Sequence, residues 1–229
     1  MISVYVEAPF AAFRTFVTGY FRPTAGFMTY SAAYGLLMNL AGIEMRHDDG
    51  TSVMTLIKAD TLPACRIALG TTTLPQVQSV YQQLHNYPVG SSGKDGAERT
   101  KGGKYNIVPV RRELLCGLQA WIQAECPEEV ETALKENISG KSKERYGLPF
   151  LGDNNFLPNR IECEKPPGET RWWRRLAPEE TNEGLRREVT RLTISIDRAD
   201  MTRSRSDLFL LEERASDAPP AEAWVEVAY

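Results

Sequence analysis

The sequence has few of the residues that build metal and redox sites. It contains two histidines, His47 and His85, and four cysteines without any C-x-x-C pair. Structural zinc sites need closely spaced cysteine and histidine ligands, so neither a metal site nor a cofactor is predicted. The expected free thiols are Cys65, Cys116, Cys126 and Cys163.

Long apolar runs, a targeting segment and an excess of basic residues are also missing. No stretch approaches the ~18 apolar residues of a membrane span, and the first residues lack a charged segment followed by an apolar one. We therefore expect a cytoplasmic protein. The formal net charge is −3, whereas proteins that coat nucleic acid without specificity are usually strongly basic. Any nucleic-acid site must be a local patch.

The composition is that of a folded chain with one core. Of 229 residues, 42% are hydrophobic and 25% are charged, close to the averages of globular domains. Neither an internal repeat nor a Pro/Ser-rich linker divides the chain, and its length suits one domain with elaborations. We predict a single domain over 1–229, with a C-terminal extension at about 165–229.

The first third of the chain predicts strands with a helix between them. Branched residues alternate with others at 2–8, as in a half-buried strand. A helix is predicted over 31–41, with Ser31 as its N-cap and Gly42 beyond its end. A strand, a helix and then more strands favour an α+β, ferredoxin-like unit. The further strands are predicted at 53–59 and 64–72.

The rest of the chain predicts a hairpin, a second helix and further strands. Residues 76–87 and 105–115 look extended, and the segment between them is rich in glycine and slightly basic. A helix opens at Pro127 with acidic residues in its first turn, and Gly140 can end it. The remaining predictions are a structured loop at 145–162, strands at 189–196 and 207–211, and a loosely held tail at 215–229.

Two segments of the sequence together resemble a known family. The first runs from the strand at 2–8 through FRPT (21–24) to TYSAAYGLL (29–37) and LAG (40–42). The second is RYGLPFLGDNN (145–155), which follows the glycine-rich hairpin. In this order and spacing, the segments resemble the CRISPR-associated protein family five. The resemblance covers about the first 160 residues.

The resemblance implies a fold, a function and a set of partners. Members of this family, in the RAMP superfamily, have a ferredoxin-like core similar to the RNA-recognition motif, with a β-hairpin thumb, here at about 76–115. They bind the 5′ handle of the guide RNA in a type I Cascade complex of antiviral defence, and this sequence is similar to the myxobacterial and cyanobacterial version. The implied partners are guide RNA, the Cascade backbone subunit and the Cascade large subunit. Target DNA near the protospacer-adjacent end is contacted indirectly, because base pairing reports its sequence.

Candidate RNA contacts lie near the start of the first helix. A helix N-terminus offers free N–H groups and a partial positive charge, which suit a phosphate. Arg14 and Arg22 would add charge-assisted contacts. The aromatic residues of 10–30 either stack on bases or pack in the core. The residues predicted at the helix N-terminus are Thr29, Tyr30 and Ser31.

The glycine-rich tip of the hairpin is a second candidate RNA contact. It is net basic although the whole chain is acidic. A long polar segment inside a domain is usually functional or disordered. It is expected to become ordered on binding RNA, the alternative being a solvated loop without a partner. Its basic residues are Lys94, Arg99, Lys101 and Lys104.

A basic aromatic cluster in the C-terminal part is predicted to contact a partner subunit. Tryptophan and arginine are enriched at interface hot spots and also suit phosphate binding with stacking. Acidic neighbours partly neutralise the cluster, which favours the protein interface. The alternative is that the tryptophans cover the back of the sheet. The cluster comprises Arg171, Trp172, Trp173, Arg174 and Arg175.

The sequence favours a binding protein over a nuclease. The resemblance implies that cutting members use an aromatic hydroxyl, a lysine and a histidine near the thumb. Here His47 lies in an acidic turn, and His85 has no adjacent lysine. A metal-independent ribonuclease needs a group that titrates near neutral pH, a role that histidine fills most readily. No catalytic residue is therefore predicted. The alternatives are a metal-independent endoribonuclease and a ferredoxin-like protein-interaction module.

Overall fold

The computed structural model describes residues 1–15, 21–50, 56–88, 105–141, 147–177, 180 and 188–229, and only the backbone at 84–88 and 105–108. Two α-helices are described: α1 (Tyr30–Leu40) and α2 (Glu128–Ile138). In chain order the strands are β1 (Ile2–Ala11), β2 (Phe21–Arg22), β3 (Arg46–His47), β4 (Leu56–Ile57), β5 (Cys65–Thr71), β6 (Gln76–Pro88), β7 (Tyr105–Glu125), β8 (Arg160–Glu162), β9 (Arg171–Arg175), β10 (Val189–Ser195), β11 (Arg205–Leu211) and β12 (Val225–Val227).

Ten of these strands form one sheet. Along its main path the order is β10-β11-β9-β5-β7-β1-β8, while β12 also pairs with β5, and β2 and β6 pair with β7. The pairings are antiparallel except that of β2 with β7. The fold is therefore mixed, with a large antiparallel sheet and two helices in the described part.

One end of the sheet consists of four antiparallel strands in the order β8-β1-β7-β5. The first helix follows β1 along the chain, and the second follows β7. β1 and β7 are paired from Ile2↔Ala124 to Ala11↔Leu115. Both ends of the described chain therefore meet at this sheet, because β12 pairs with β5.

The alternation predicted at 2–8 sets which face of β1 is buried. Val4 and Val6 are fully buried in the main core, whereas Ser3 and Glu7, on the other face, are partly exposed. Successive strand residues point to opposite faces, so one face of the sheet packs against the helices. The strand is confirmed, and it extends to Ala11.

Helix α1 is buried along almost its whole length. Its sequence YSAAYGLLMNL contains no charged residue, and nine residues of the helix are buried. The N-cap is Thr29, whose side chain accepts a 3.2 Å hydrogen bond from the backbone N–H of Ala32. The cap predicted at Ser31 is wrong by two residues. Gly42 has a φ of 78°, as predicted for the glycine that follows a helix.

Helix α2 lies where acidic residues after Pro127 predict it. Glu128, Glu129 and Glu131 occupy the first turn, which complements the helix dipole. The Asn137 side chain donates a 2.8 Å hydrogen bond to the carbonyl of Leu40, joining α2 to the end of α1. In the described ranges, no helix has the length and apolar content to cross a membrane.

Strand β7 is longer than its sequence suggests and organises the sheet. It pairs with β6 along its first half and with β5 along its second half. The arms predicted at 76–87 and 105–115 are thus confirmed as a hairpin, but the second arm continues to Glu125. Gly117, at a φ of 71°, was a plausible end for the strand. Pairing with β1 on the other side carries the strand past it.

The strand predicted at 53–59 is mostly wrong within the described residues. Only Leu56–Ile57 is a strand, and it pairs with β3 outside the main sheet. A short 3₁₀ turn follows at Ala59–Thr61. Asp60 and its neighbours are exposed, so burial does not hold the backbone extended there. Residues 51–55 lie outside the described part.

The tail predicted at 215–229 is wrong. Val225–Val227 forms β12 against β5, and both valines are buried. The centroid of the Tyr229 ring lies 5.3 Å from the ring centroid of Tyr34 in α1. A three-residue strand is too short to reveal itself by alternation, and its stability comes from the edge of β5 that it covers. The strands predicted at 189–196 and 207–211 are confirmed as β10 and β11.

Candidate nucleic-acid interface

The candidate site lies at the base of the β6–β7 hairpin, where β2 pairs with β7. Phe21 of β2 pairs with Arg111 of β7, and Tyr81 of β6 pairs with the same arginine from the other side. Directly opposed residues in a sheet point to the same face. The three side chains therefore form a row across three neighbouring strands, here called the aromatic row.

The aromatic row is open to solvent. Tyr81 is 84% exposed and Phe21 is 38% exposed, although large aromatic side chains in a sheet are normally covered. The Arg111 guanidinium lies 5.2 Å from the centroid of the Phe21 ring and donates hydrogen bonds of 3.3 and 3.2 Å to Ser79 Oγ. The row thus presents two aromatic faces and a cation held between them.

The opposite face of the hairpin base carries an ion pair. Arg112 Nη2 lies 2.6 Å from Asp153 Oδ2, and both side chains are almost nine-tenths buried. Arg112 also donates to Gln82 Oε1 at 3.3 Å, and its guanidinium stands 5.0 Å from the Phe156 ring centroid. The carboxylate accepts two further bonds from Asn155, through its backbone and side-chain nitrogens. This face is therefore occupied by the loop after residue 147.

The Asp153 carboxyl is held in its ionised form. Burial alone would raise its pKa, but hydrogen bonds from Asn155 and Arg112, with the positive charges of Arg112 and Arg14, lower the pKa below its usual value. The net direction shows that the bonds to the ionised form outweigh desolvation. Asp153 thus fixes Arg112 within the hairpin base.

Asp153→Asn is expected to destabilise the protein by about 2–3 kcal/mol, because it leaves Arg112 without its charged partner. A carboxyl with a lowered pKa contributes fully above its unfolded value of about 3.9 and loses that contribution as the pH falls further. The difference in unfolding free energy between wild type and variant should therefore become smaller in strong acid. Urea unfolding at a series of pH values measures it, and a gap independent of pH would contradict the ion pair.

The loop that carries Asp153 is docked on the end of β1. The Ala12 N–H donates to the Leu151 carbonyl at 3.1 Å, and the Leu151 N–H donates to the Phe156 carbonyl at 2.8 Å. Gly152, at a φ of 78°, lies so close that an added Cβ would stand 2.0 Å from the Ala12 carbonyl oxygen. The segment GDNN at 152–155 is therefore shaped to fit β1 and the hairpin.

The loop after β1 brings two predicted arginines to the same region. Thr24 Oγ1 accepts from the Phe13 N–H at 3.0 Å, and the Thr24 N–H donates to Glu113 Oε2 at 3.3 Å. These bonds tie the loop to β7. Arg14 is exposed and Arg22 partly exposed, so both remain candidates for phosphate contacts beside the hairpin base.

The residues predicted at the helix N-terminus do not form a surface site. Thr29, Tyr30 and Ser31 are at most 9% exposed. Thr29 is the helix cap, and the Tyr30 hydroxyl donates to the Trp173 carbonyl at 3.4 Å. Burial raises the pKa of Tyr30. The burial of these side chains does not favour a contact with RNA, and the role assigned to Thr29, Tyr30 and Ser31 stays a prediction.

The basic tip of the hairpin was the other predicted RNA contact. Its residues lie outside the described part of the chain. The hairpin is described as far as Pro88 and again from Tyr105 onward. The role assigned to these four therefore stays a prediction: Lys94, Arg99, Lys101 and Lys104.

The tryptophans of the predicted partner interface are buried in the sheet. Trp172 is 0% exposed and Trp173 is 2% exposed, because they lie in β9 between β11 and β5. Arg174 is paired with Glu180 and Glu212. Burial of this kind favours a role in the stability of the chain, and for Trp172 and Trp173 too the interface stays a prediction. Arg171 and Arg175 are partly or fully exposed, and for them the interface stays a prediction.

The sheet face opposite the helices is closed by the C-terminal part. Tyr5 of β1 and Trp121 of β7 stack with ring centroids 4.7 Å apart, and both are at most 7% exposed. Trp172 and Trp224 pack with them. Bases cannot reach these central aromatics, so the hairpin base presents the accessible aromatic surface instead.

Neither a metal site nor a histidine-based acid–base pair is assembled in the described part. Among those residues, no group of three or more His, Cys, Asp or Glu can hold a metal ion. His47 is exposed on the small β3–β4 sheet. The His85 side chain is not among those described.

Several residues of the site were missed by the sequence reading. Arg111, Arg112 and Tyr81 were read only as parts of strands, and Asp153 only as part of a motif. The available signal was the alternation of β6, which sets Tyr81 on the same strand face as the polar Ser79 two residues before it. The pairing of β2 with β7, which sets Phe21 beside Arg111, has no local sequence signal.

Comparisons with known proteins agree with this fold. The family model described as "CRISPR-associated protein (Cas_Cas5)" matches residues 1–159. A solved structure titled "CRISPR RNA-guided surveillance complex" is similar at a TM-score of 0.54 with 12% identity, over 97% of this chain and 95% of that one.

A second solved structure, titled "Crystal structure of Cas protein", has a TM-score of 0.44 and 13% identity, over 96% of this chain and 99% of the other. None of the curated proteins matches. The family model covers both marker segments and the whole hairpin base. The chain belongs to the CRISPR-associated protein family (Cas_Cas5).

Proposed function

We propose that this protein binds the 5′ handle of the guide RNA, without cleaving it, as a subunit of a type I Cascade complex. The observation that carries the proposal is the exposed aromatic row at the hairpin base, Phe21, Arg111 and Tyr81. Family membership supplies the CRISPR context. The type I assignment and the myxobacterial or cyanobacterial subtype stay predictions.

The chemistry of the row suits a single-stranded RNA. Aromatic faces stack on bases of any sequence, and each stacked base contributes about 1–3 kcal/mol. Arg111 between the two rings can stack on a base or contact a phosphate. Arg22, which pairs with Arg112, lies on the opposite face of the hairpin base, and Arg14 lies in an isolated bridge with Thr24. Both supply further positive charge at the hairpin base. An acidic protein thereby gains a local patch that attracts an anionic strand.

We further propose that the four strands at one end of the sheet are a ferredoxin-like core related to the RNA-recognition motif. The supporting feature is the antiparallel order β8-β1-β7-β5, with one helix after its first strand in the chain and one after its third. In such motifs the central aromatics of the sheet stack on bases. Here that face is closed by Trp172 and Trp224, so the proposed RNA site moves to the hairpin.

The proposed protein partners are the Cascade backbone and large subunits, and target DNA is reached only through them. Supporting this proposal, three large apolar side chains in the loop after residue 147 are at least 41% exposed. Exposed apolar groups near one another often mark contact surfaces. These residues are Leu148, Phe150 and Leu157.

The proposal is tested by RNA binding to the full chain. Labelled repeat RNA is titrated against wild type and against single alanine variants of Phe21, Arg111 and Tyr81. Each variant should weaken binding about 10-fold or more, as expected for the loss of one stacked group. Tyr81→Trp should retain binding, because stacking needs an aromatic face and not the hydroxyl.

The control variant is Val80→Ala, which changes the neighbouring residue on the opposite face of β6 and should bind as wild type does. The RNA should remain intact without metal, since no catalytic group is proposed. A discrete cut within the repeat would favour the endoribonuclease. If no variant alters binding, the aromatic row is not the RNA site. If the full chain binds no RNA while protein subunits still co-purify, the protein-interaction module is correct instead.

A further inference from the structure

The cysteines Cys65 and Cys126 stand opposite each other in the sheet. Arg66 and Glu125 are the last paired residues of β5 and β7 at this end, and the two cysteines are the next residue beyond on each strand. Arg66 and Glu125 also form a salt bridge, with 2.6 Å between Arg66 Nη1 and Glu125 Oε2. The strand register thus brings the two thiols together.

The strand register places the two side chains opposite each other. The interaction between the neighbouring thiols lowers the pKa of Cys65 and, together with burial, raises the pKa of Cys126. Both pack against the main core, where Cys65 is 1% exposed and Cys126 is partly exposed. Opposed Cβ atoms in a sheet stand about 4.5–5.5 Å apart, and a disulfide needs about 3.5–4.5 Å. A small decrease in the distance between the two Cβ atoms is therefore enough for a disulfide to form.

The position of Cys126 permits that approach. It follows the last residue of β7 and precedes Pro127 at the start of α2. Its backbone N–H donates to Glu131 Oε1 at 3.3 Å, so the turn is held by one side chain rather than by a strand partner. Cys65, in contrast, is fixed between β7 and β12.

We propose that Cys65 and Cys126 form a reversible disulfide when the protein meets a hydroperoxide. One of the two thiols is oxidised to a sulfenic acid, which releases the alcohol or water derived from the peroxide. The sulfur of the other cysteine then attacks the sulfenic sulfur. The S–S bond forms as the S–O bond breaks, and the hydroxyl leaves as water with the proton of the attacking thiol. A thiol reductant restores both thiols.

The disulfide would join β5 to the turn between β7 and α2. Cross-linking residues so far apart in the chain restrains the unfolded state. The other two cysteines provide an internal comparison, since Cys116 is partly buried and Cys163 is exposed. If exposure alone decided reactivity, Cys163 would be the first to be modified.

The test is peptide mapping of the full chain after treatment with hydrogen peroxide, with free thiols blocked before digestion. A peptide linking Cys65 to Cys126 is expected, with a loss of about 2 Da and a rise in Tm of roughly 5–10 °C that dithiothreitol reverses. Cys163→Ser should keep the link, and Cys126→Ser should lose it. Sulfinic acid at Cys126 with Cys65 still alkylatable, or links through Cys116 or Cys163, would overturn the proposal.

Discussion

Gly152→Ala is expected to destabilise the protein by about 3–5 kcal/mol. We expect this to be the largest loss of stability from a single glycine-to-alanine change. Two causes act together. The φ of 78° disfavours any residue with a side chain, and the new Cβ would stand 2.0 Å from the Ala12 carbonyl oxygen. Because the contact is with backbone, a rotamer change cannot relieve it. Either the loop leaves β1 or the end of β1 moves.

The matched control for this prediction is Gly147→Ala in the same loop. No atom stands within 4 Å of the Cβ position at Gly147, so the change should alter stability by no more than about 0.5 kcal/mol. Chemical denaturation of both variants gives the comparison. Equal stabilities would show that the loop does not dock on Ala12 as described. RNA binding by Gly152→Ala should also weaken, because Asp153 positions Arg112 from this loop.

Trp172→Ala is expected to cost about 3–5 kcal/mol of folding free energy, as large aromatic residues in a core do. Its side chain is fully buried, and its indole N–H donates to the Ser216 carbonyl at 3.1 Å. It also covers Gly70, whose Cβ position lies 2.8 Å from the ring. The truncation would leave a cavity between the sheet and the C-terminal part.

This variant also separates the two roles considered for the tryptophan cluster. A residue that contacts a partner subunit can be truncated without loss of stability in the free protein, and only assembly suffers. A core residue lowers the stability of the free protein. Thermal unfolding of the isolated chain decides between them, with Arg171→Ala as the control on the same strand. An unchanged Tm for Trp172→Ala would restore the interface assignment.

Both variants remove a contact that decides which part of the sheet is covered and which is supported. Trp172 closes the face on which ferredoxin-like RNA-binding modules stack bases, and Gly152 allows a loop to support the hairpin base. The closed face excludes one RNA site, while the supported hairpin presents another. The proposed RNA site therefore lies at the hairpin base, because the C-terminal part covers the other face and the loop at 147–159 supports the hairpin.

Much of the secondary structure could be predicted, because it depends on local patterns. The alternation at Val4 and Val6 revealed β1, and the acidic first turn revealed α2. Helix α1 was placed within one residue at each end, although its cap is Thr29 and not Ser31. Failures occurred where tertiary contacts override local signals, as at β12, whose three residues are ordered by the edge of β5.

The candidate site was predictable only in part. Arg14 and Arg22 were recognised as basic residues in an aromatic loop, and both reach the surface. The adjacent Thr29, Tyr30 and Ser31 carry the same kind of signal but are buried. Composition cannot separate these cases, because exposure depends on which distant strands pack over each residue. Helix α1 is buried along almost its whole length, whereas Arg22 lies in β2, which pairs with β7 alone, and Arg14 lies in an isolated bridge.

The sequence by itself determined the family, through two marker segments, and the presence of a long hairpin with a basic tip. It also determined that any RNA site must be a local patch, because the chain is acidic overall. Only the tertiary structure decided where an accessible patch lies. Phe21 belongs to a strand far from the hairpin in the chain, and it becomes a neighbour of Arg111 and Tyr81 because the pairing of β2 with β7 sets all three side chains on one face. That pairing is long-range, so no local pattern encodes it.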